Sequence, residues 1–373
     1  GHNDNENIPV ISLKESIDKV ILREGKTLAK YGLESGPQGY FPLRTFLSNQ
    51  LKNSASINCS EREILIVSGS LQALDLVNTT FLRKGDTVII EEENYGGTIS
   101  RLKKLGVNMV GIPLEKDGMD INYLEKELKK LEGENNKPRY IYTIPTIQNP
   151  TGTVMSVEKR RALIEISKKF GIPIFEDDCY ADLLYEKQRP PAIKSFDDEG
   201  YVIYCGSFSK SIAPALRVGY LVANWDILSR VLPFKTDAGS GSLEQMALAE
   251  FCKNEFNTHV TNLRSELKKK SDAMCNSLDK YFGSTANYQK PDGGIFIWVD
   301  MPENVDTSRL YDIAIKQGVA INPGNEWSVN PSGKHKMRLC YGNPTINEID
   351  EGIKLLAEIC QSEFGVPEQI ANQ

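Results

Sequence analysis

The segment Gly206-Ser207-Phe208-Ser209-Lys210-Ser211-Ile212-Ala213-Pro214-Ala215-Leu216-Arg217-Val218-Gly219-Tyr220 sets one lysine among small hydroxyl residues, between two apolar runs, with an arginine seven positions on. Ser207 and Ser209 offer short donors and Arg217 a planar fork, a set able to wrap a phosphate and leave Lys210 beside the bound anion. Read alone, the segment could also be a solvent-facing lysine on a serine-rich turn. Ile174-Phe175-Glu176-Asp177-Asp178-Cys179-Tyr180 places an acidic pair at the carboxyl end of a buried strand, where α/β sheets present ligand-binding groups. One carboxylate there can meet a cationic ring nitrogen. Gln148-Asn149-Pro150-Thr151-Gly152 puts an amide at another strand end, although Pro-Thr-Gly by itself is only a turn signal.

Asn149, Asp177 and Lys210 stand 28 and 33 residues apart. With each at the end of a successive strand, one sheet edge would gather all three, together with Ser68-Gly69-Ser70-Leu71-Gln72. That demands alternating strands and helices, and the chain from about Arg62 to Ala223 reads that way. Strands are predicted near 87–91, 109–113, 139–145, 173–177, 202–206 and 219–223, with amphipathic helices over 71–82, 121–131 and 157–170. After about Leu243 the pattern becomes one long helical region, 243–282. Strands at 294–300, 319–321 and 336–340 and helices at 308–317 and 346–364 follow, and a helix over 12–30 is expected to pack on their side. The expected fold is α/β, a three-layer α/β/α domain with a mostly parallel sheet plus a smaller α+β domain. Its divisions are 1–40 (N-terminal segment), 41–280 (large domain) and 281–373 (small domain).

Composition removes several function classes. The 373 residues carry 44 Lys+Arg against 50 Asp+Glu, net −6, with no basic block, so nothing favours binding nucleic acid. No apolar run reaches the roughly 18 residues of a membrane span, and no membrane partner is expected. The seven cysteines are widely spaced and never C-x-x-C, which reads as reduced thiols in a cytoplasmic protein. With three histidines, a His-based metal cluster is nearly excluded and no metal is expected. Gly239-Ser240-Gly241-Ser242 lacks the Gly-Lys-Ser/Thr ending of a nucleotide loop.

From about Tyr31 to Phe364 the sequence resembles the fold-type I pyridoxal-phosphate enzymes, specifically class I/II aminotransferases of the branch with 2-aminoadipate and kynurenine aminotransferases and the aminotransferase-like domain of MocR-type regulators. The resemblance implies pyridoxal 5'-phosphate as cofactor and Lys210 as its Schiff-base lysine and proton shuttle. It implies that Asp177 pairs with the pyridine nitrogen and that Asn149 and Tyr180 hydrogen-bond the ring's phenolic oxygen. Ser70 and the Leu71 N–H, opening a helix, would share the phosphate with Ser207, Ser209 and Arg217, with Gln72 in support. Tyr95 in Glu93-Asn94-Tyr95-Gly96-Gly97 matches a ring-stacking aromatic, and Arg338 in Lys336-Met337-Arg338-Leu339-Cys340 matches the arginine that clamps the substrate α-carboxylate.

Tyr31 resembles the tyrosine that reaches a partner subunit's phosphate, which implies a homodimer with shared sites. The stretch Gly39-Tyr40-Phe41-Pro42-Leu43-Arg44 follows, and because 33–38 is longer than the family's run, Tyr31 and Tyr40 could exchange roles, with Tyr40 otherwise a substrate-binding residue. Cys179 stands where the family often has proline. The expected activity is transfer of an amino group from an L-amino acid to a 2-oxo acid, glutamate and 2-oxoglutarate being the expected shared pair, by a ping-pong cycle. The alternatives are a pyridoxal-phosphate lyase or decarboxylase, and a cofactor-binding sensor domain of the regulator type.

Overall fold

Strands that alternate two apolar sets, one for each face, must be covered on both sides. In β1 (Ile64–Val67), Ile64 and Ile66 pack into one core and Leu65 and Val67 into another. A computed structural model describes residues 1–368 apart from Lys187 and Pro331; the last five residues of the expected small domain lie outside the described residues. The large sheet is built from β1, β2 (Thr87–Glu91), β3 (Asn108–Ile112), β6 (Ile141–Thr143), β7 (Ile174–Asp177), β8 (Val202–Ser207) and β9 (Gly219–Val222). The intervening β4 (Leu114–Glu115) and β5 (Gly118–Met119) form a small hairpin apart from it. The strand order is β1-β9-β8-β7-β6-β2-β3. From β3 to β8 the strands are parallel, and β9 runs antiparallel to both its neighbours.

The helices in chain order are α1 (Val10–Glu24), α2 (Phe41–Ala55), α3 (Ser70–Phe81), α4 (Gly96–Lys104), α5 (Ile121–Gly133), α6 (Val157–Phe170), α7 (Trp225–Val231), α8 (Ser242–Asn254), α9 (Phe256–Tyr281), α10 (Thr307–Ala314) and α11 (Ile346–Phe364). Residues of α3, α4 and α7 cover one face of the large sheet. Those of α2 and α8, and of α5 and α6, cover the other. The α6 boundaries fall where predicted because Ser156 caps its start and Gly171, at φ 61°, ends it. The Thr345/Glu348 capping box and Gly365 do the same for α11.

The second core surrounds the sheet β10 (Asn287–Tyr288), β11 (Phe296–Asp300), β13 (Lys336–Cys340) and β12 (Asn322–Pro323), covered by α10, α11 and the end of α9. The single helix expected over 243–282 is two helices, broken at Glu255. The strand expected at 319–321 does not form. Gly318 is left-handed at φ 91° and the Val319 N–H closes back on Ala314 O, so the ladder starts only at Asn322. The N-terminal helix ends at Glu24, whose φ/ψ is non-helical, and a separate 3-10 turn covers Gly25–Ala29. It packs on α8, with Val20 in the α2/α8 core, rather than on the small-domain side. Strand β1, the two-residue strands β4, β5 and β10, and helices α2, α4 and α7 lie outside the elements expected from the sequence.

Candidate active site

Asn149, Asp177 and Lys210 do meet at the carboxyl edge, because β6, β7 and β8 are adjacent and parallel. They line a cavity of about 210 Å³ together with Ser70, Leu71, Tyr95, Tyr180, Ser209, Arg217 and Arg338.

Asp177 is the last residue of β7 and accepts a 2.5 Å hydrogen bond from the Tyr142 hydroxyl. Burial pushes its carboxyl pKa up, so a cationic partner in the cavity would be stabilised by it and would stabilise its charge in turn. Lys210 lies three residues past β8. Burial lowers the pKa of its amine, and the nearby Arg338 lowers it further. That favours the neutral, nucleophilic form. Its Nζ donates to the Gly1 carbonyl at 2.8 Å and sits 5.8 Å from the Tyr180 ring centroid.

Arg338, on β13, is 5 % exposed. Its guanidinium lies 4.1 Å from the Trp327 ring centroid and 5.1 Å from that of Phe296. Nη1 donates to Asn149 Oδ1 at 2.8 Å and Nη2 to Asn322 Oδ1 at 3.1 Å, while the buried Nε has no hydrogen-bond partner among the described residues. A buried guanidinium with an unused donor and no carboxylate among these contacts is a receptor for an anion.

At the opposite end of the cavity the first turn of α3 presents N–H groups beside Ser70. Gly69 precedes it at φ 86°, and a Cβ there would lie 2.3 Å from Arg217 Nη2. Glycine is therefore what lets the arginine close on the helix start, where Nη2 donates to Ser68 O at 2.9 Å. Ser209 faces the cavity, whereas Ser207 is buried in β8 and accepts the Ser209 N–H at 3.1 Å. Ser207 thus holds Ser209 in place and does not line the cavity.

Two further expected site residues do not line the cavity of this chain. Gln72 turns away: its Oε1 accepts from the Ser68 N–H and its Nε2 donates to Asp237, so it braces the loop before α3. Tyr40 does not reach the cavity of its own chain. It is 4 % exposed, with its N–H held by Gln245 Oε1 and its hydroxyl donating to Glu24 at 2.7 Å. Tyr31 also lies away from the cavity and is 91 % exposed. Both tyrosines line a separate cavity of about 390 Å³.

Sequence reasoning missed Tyr142, Thr98 and Glu91. Thr98, on α4, donates to the Tyr142 hydroxyl at 3.2 Å and lines the cavity. Glu91, fully buried at the end of β2 with its pKa pushed up to about 7 by burial, accepts from Asn94 Nδ2, Thr143 Oγ1 and Gln148 Nε2. Its position ties together the residues preceding Tyr95 and Asn149. An acidic residue closing an apolar strand was the available signal for it.

The profile of the family described as aminotransferase class I and II matches residues 1–356. The chain belongs to that family. It is 32 % identical over 362 residues to aromatic-amino-acid aminotransferase 1 of Thermococcus litoralis, covering 96 % of this chain and 86 % of that one. It is 35 % identical over 325 residues to the uncharacterized HTH-type transcriptional regulator YisV of Bacillus subtilis, covering 86 % of this chain and 66 % of the regulator. Among solved structures, kynurenine aminotransferase of Pyrococcus horikoshii, in complex with PMP, superposes with a TM-score of 0.92 at 32 % identity, covering 97 % of this chain and 90 % of that one. This aminotransferase has the fold-type I architecture and uses pyridoxal phosphate. The cavity suits that cofactor, with a carboxylate deep in the sheet, a lysine of lowered pKa, and a helix start closed by Arg217. When bound, the cofactor supplies an electron sink for the substrate's α-carbon.

Proposed function

We propose that this aminotransferase moves the amino group of an L-amino acid to a 2-oxo acid, with glutamate and 2-oxoglutarate as the shared pair, in two half-reactions of a ping-pong cycle. The observation that carries the proposal is the cavity itself, which sets Lys210, Asp177 and Arg338 around one space. Arg338 fixes the substrate α-carboxylate, using its free Nε, and Asn149 holds the guanidinium in place. Lys210 Nζ would hold the cofactor and would serve as the base that takes the proton from the substrate's α-carbon. Asp177 would keep the ring nitrogen protonated, Asn149 and Tyr180 would meet the ring oxygen, and Tyr95 would face the ring. Ser70, the Leu71 N–H, Ser209 and Arg217 would hold the phosphate.

Exposed apolar side chains near the N-terminus support a homodimer. Val10, Ile11 and Leu22 on α1, together with Tyr31, expose 62, 68, 88 and 91 % of their surfaces, and Tyr31 stands free to enter a partner's site. The N-terminal segment 1–40 then acts as a dimer arm beside the large domain 41–280 and the small domain 281–373. The seven free cysteines suit a cytoplasmic setting. Similarity to the Bacillus regulator favours a second reading, a sensor domain that binds the cofactor without turnover.

The experiment is an absorbance titration of the cofactor-loaded protein with a panel of L-amino acids, with glutamate formation from 2-oxoglutarate measured in parallel and Lys210→Ala as control. A Lys210-dependent visible band that a donor bleaches, with matching glutamate formation, is expected. A Lys210-dependent band that no amino acid bleaches would replace the transaminase reading with the sensor.

A further inference from the structure

Beneath the cofactor's place, three ligating side chains stand together for which transamination has no combined use. The Cys179 and Cys205 Sγ atoms and a carboxylate oxygen of Asp177 lie within 4.8 Å of one another, and among the described residues no other group of three His, Cys, Asp or Glu comes this close. The backbone fixes them: Asp177 and Cys205 are paired in register between β7 and β8, and the Asp178 N–H donates to Cys205 O at 2.9 Å. The Tyr142 hydroxyl orients the carboxylate, as outer-shell groups orient metal ligands. Cys205 is fully buried, while Cys179 and Asp177 line the cavity and provide an entry path.

We propose that Asp177, Cys179 and Cys205 form a binding site for a thiophilic divalent cation of the zinc class, available when the cofactor is absent. Two thiolates and a carboxylate are a borderline-soft donor set that selects such an ion over calcium or magnesium. Tetrahedral zinc with Zn–S bonds of about 2.3 Å holds its sulfurs about 3.8 Å apart, and three ligand atoms that already lie within 4.8 Å of one another can reach that spacing by side-chain adjustment alone. Each thiol releases its proton to solvent as its metal–sulfur bond forms, and no oxidant is needed. The fourth position faces the cavity and takes water, as in sites with three protein ligands.

One consequence rests on the proposed role of Asp177. The carboxylate that binds the metal is the one assigned to the ring nitrogen, so metal and cofactor exclude each other. Thiophilic metal would then hold the apoenzyme inactive and pyridoxal phosphate would protect against it.

The test uses the full-length apoprotein, stripped of cofactor, titrated with Cd²⁺ while thiolate-to-metal charge-transfer absorption is followed, and with Zn²⁺ by calorimetry. One ion per chain is expected. Cys179→Ser and Cys205→Ala should each weaken binding more than about 10-fold, and Cys340→Ser, outside the three-residue group, should leave it unchanged. Circular dichroism melts establish that each variant is folded, and Cys179→Ser, being half-buried, keeps the test decisive if Cys205→Ala does not fold. Absence of stoichiometric binding, or binding indifferent to Cys179→Ser, overturns the site. Saturation with pyridoxal phosphate should abolish the signal. Cysteine-dependent binding that persists under saturating cofactor would uphold the metal site and overturn the assignment of Asp177 to the ring nitrogen.

Discussion

Replacing Arg338 by Gln removes the charge that the substrate carboxylate would meet while keeping a polar side chain between Trp327 and Phe296. The size of the effect follows from the surroundings. Arg338 is 5 % exposed, its Nε is unpartnered, and two asparagine carbonyls occupy Nη1 and Nη2. A carboxylate docking there forms charge-assisted hydrogen bonds out of water, and removing one side of such a pair costs about 2–5 kcal/mol. At 1.4 kcal/mol per decade, kcat/KM for an amino acid should fall by about 30- to 4,000-fold. Arg338→Lys keeps the charge but not the planar fork, and should recover part of the loss. The assay is the single-turnover half-reaction followed by cofactor absorbance, run with an L-amino acid and with the primary amine that lacks the α-carboxylate. The amine should react at nearly the same low rate with wild type and variant. An equal loss for both substrates in a variant with an unchanged melt would refute the argument, because the arginine would then act on the cofactor or the fold.

Three other outcomes follow from the same geometry. Lys210 has a lowered pKa, so its amine is neutral and reactive at lower pH than a free lysine; the rate of cofactor capture by the apoprotein should rise with pH through a midpoint below the ordinary value of about 10.4, and a midpoint at that value would contradict the burial argument. Gly69→Ala forces φ 86° on a residue with a Cβ and drives it into Arg217, which should cost about 1–3 kcal/mol in denaturant melts and weaken cofactor affinity, read by fluorescence titration. Tyr142→Phe deletes the 2.5 Å bond that favours the ionised Asp177, so cofactor affinity should fall about 10- to 100-fold, corresponding to about 1.5–3 kcal/mol for a hydrogen bond to a charged group, and an unchanged affinity would remove Tyr142 from the site.

The catalytic edge was legible in the sequence for a topological reason. Residues at the carboxyl ends of consecutive parallel strands must share an edge, so the spacing of Asn149, Asp177 and Lys210 was enough to assemble them. Arg338 carried no such guarantee, since it enters from a different sheet, and only family resemblance pointed to it. The positions of Gln72 and Tyr40 away from the cavity of their own chain share a cause. Closeness along the chain to a binding segment does not say which way a side chain turns, and Asp237 and Glu24, distant in sequence, decided both. Tyr142 was hidden because a tyrosine inside an apolar strand looks like core until the strand's neighbours are known. Strand β1 is a four-residue apolar run without alternation of polarity, which periodicity cannot distinguish from a helix fragment.

Helix α9 has a further consequence. Phe256 and Val260 near its start belong to the core beneath the large sheet, and Met274, Cys275, Leu278 and Tyr281 near its end belong to the small-domain core. Neither core can melt without stripping half of one continuous 26-residue helix of its packing. The two domains should therefore unfold together, in one calorimetric transition, even though their sheets are separate. The stiffness of that shared rod, about 1.5 Å per residue along its length, also gives Arg338 in the small sheet and Lys210 beside the large one a common mechanical reference.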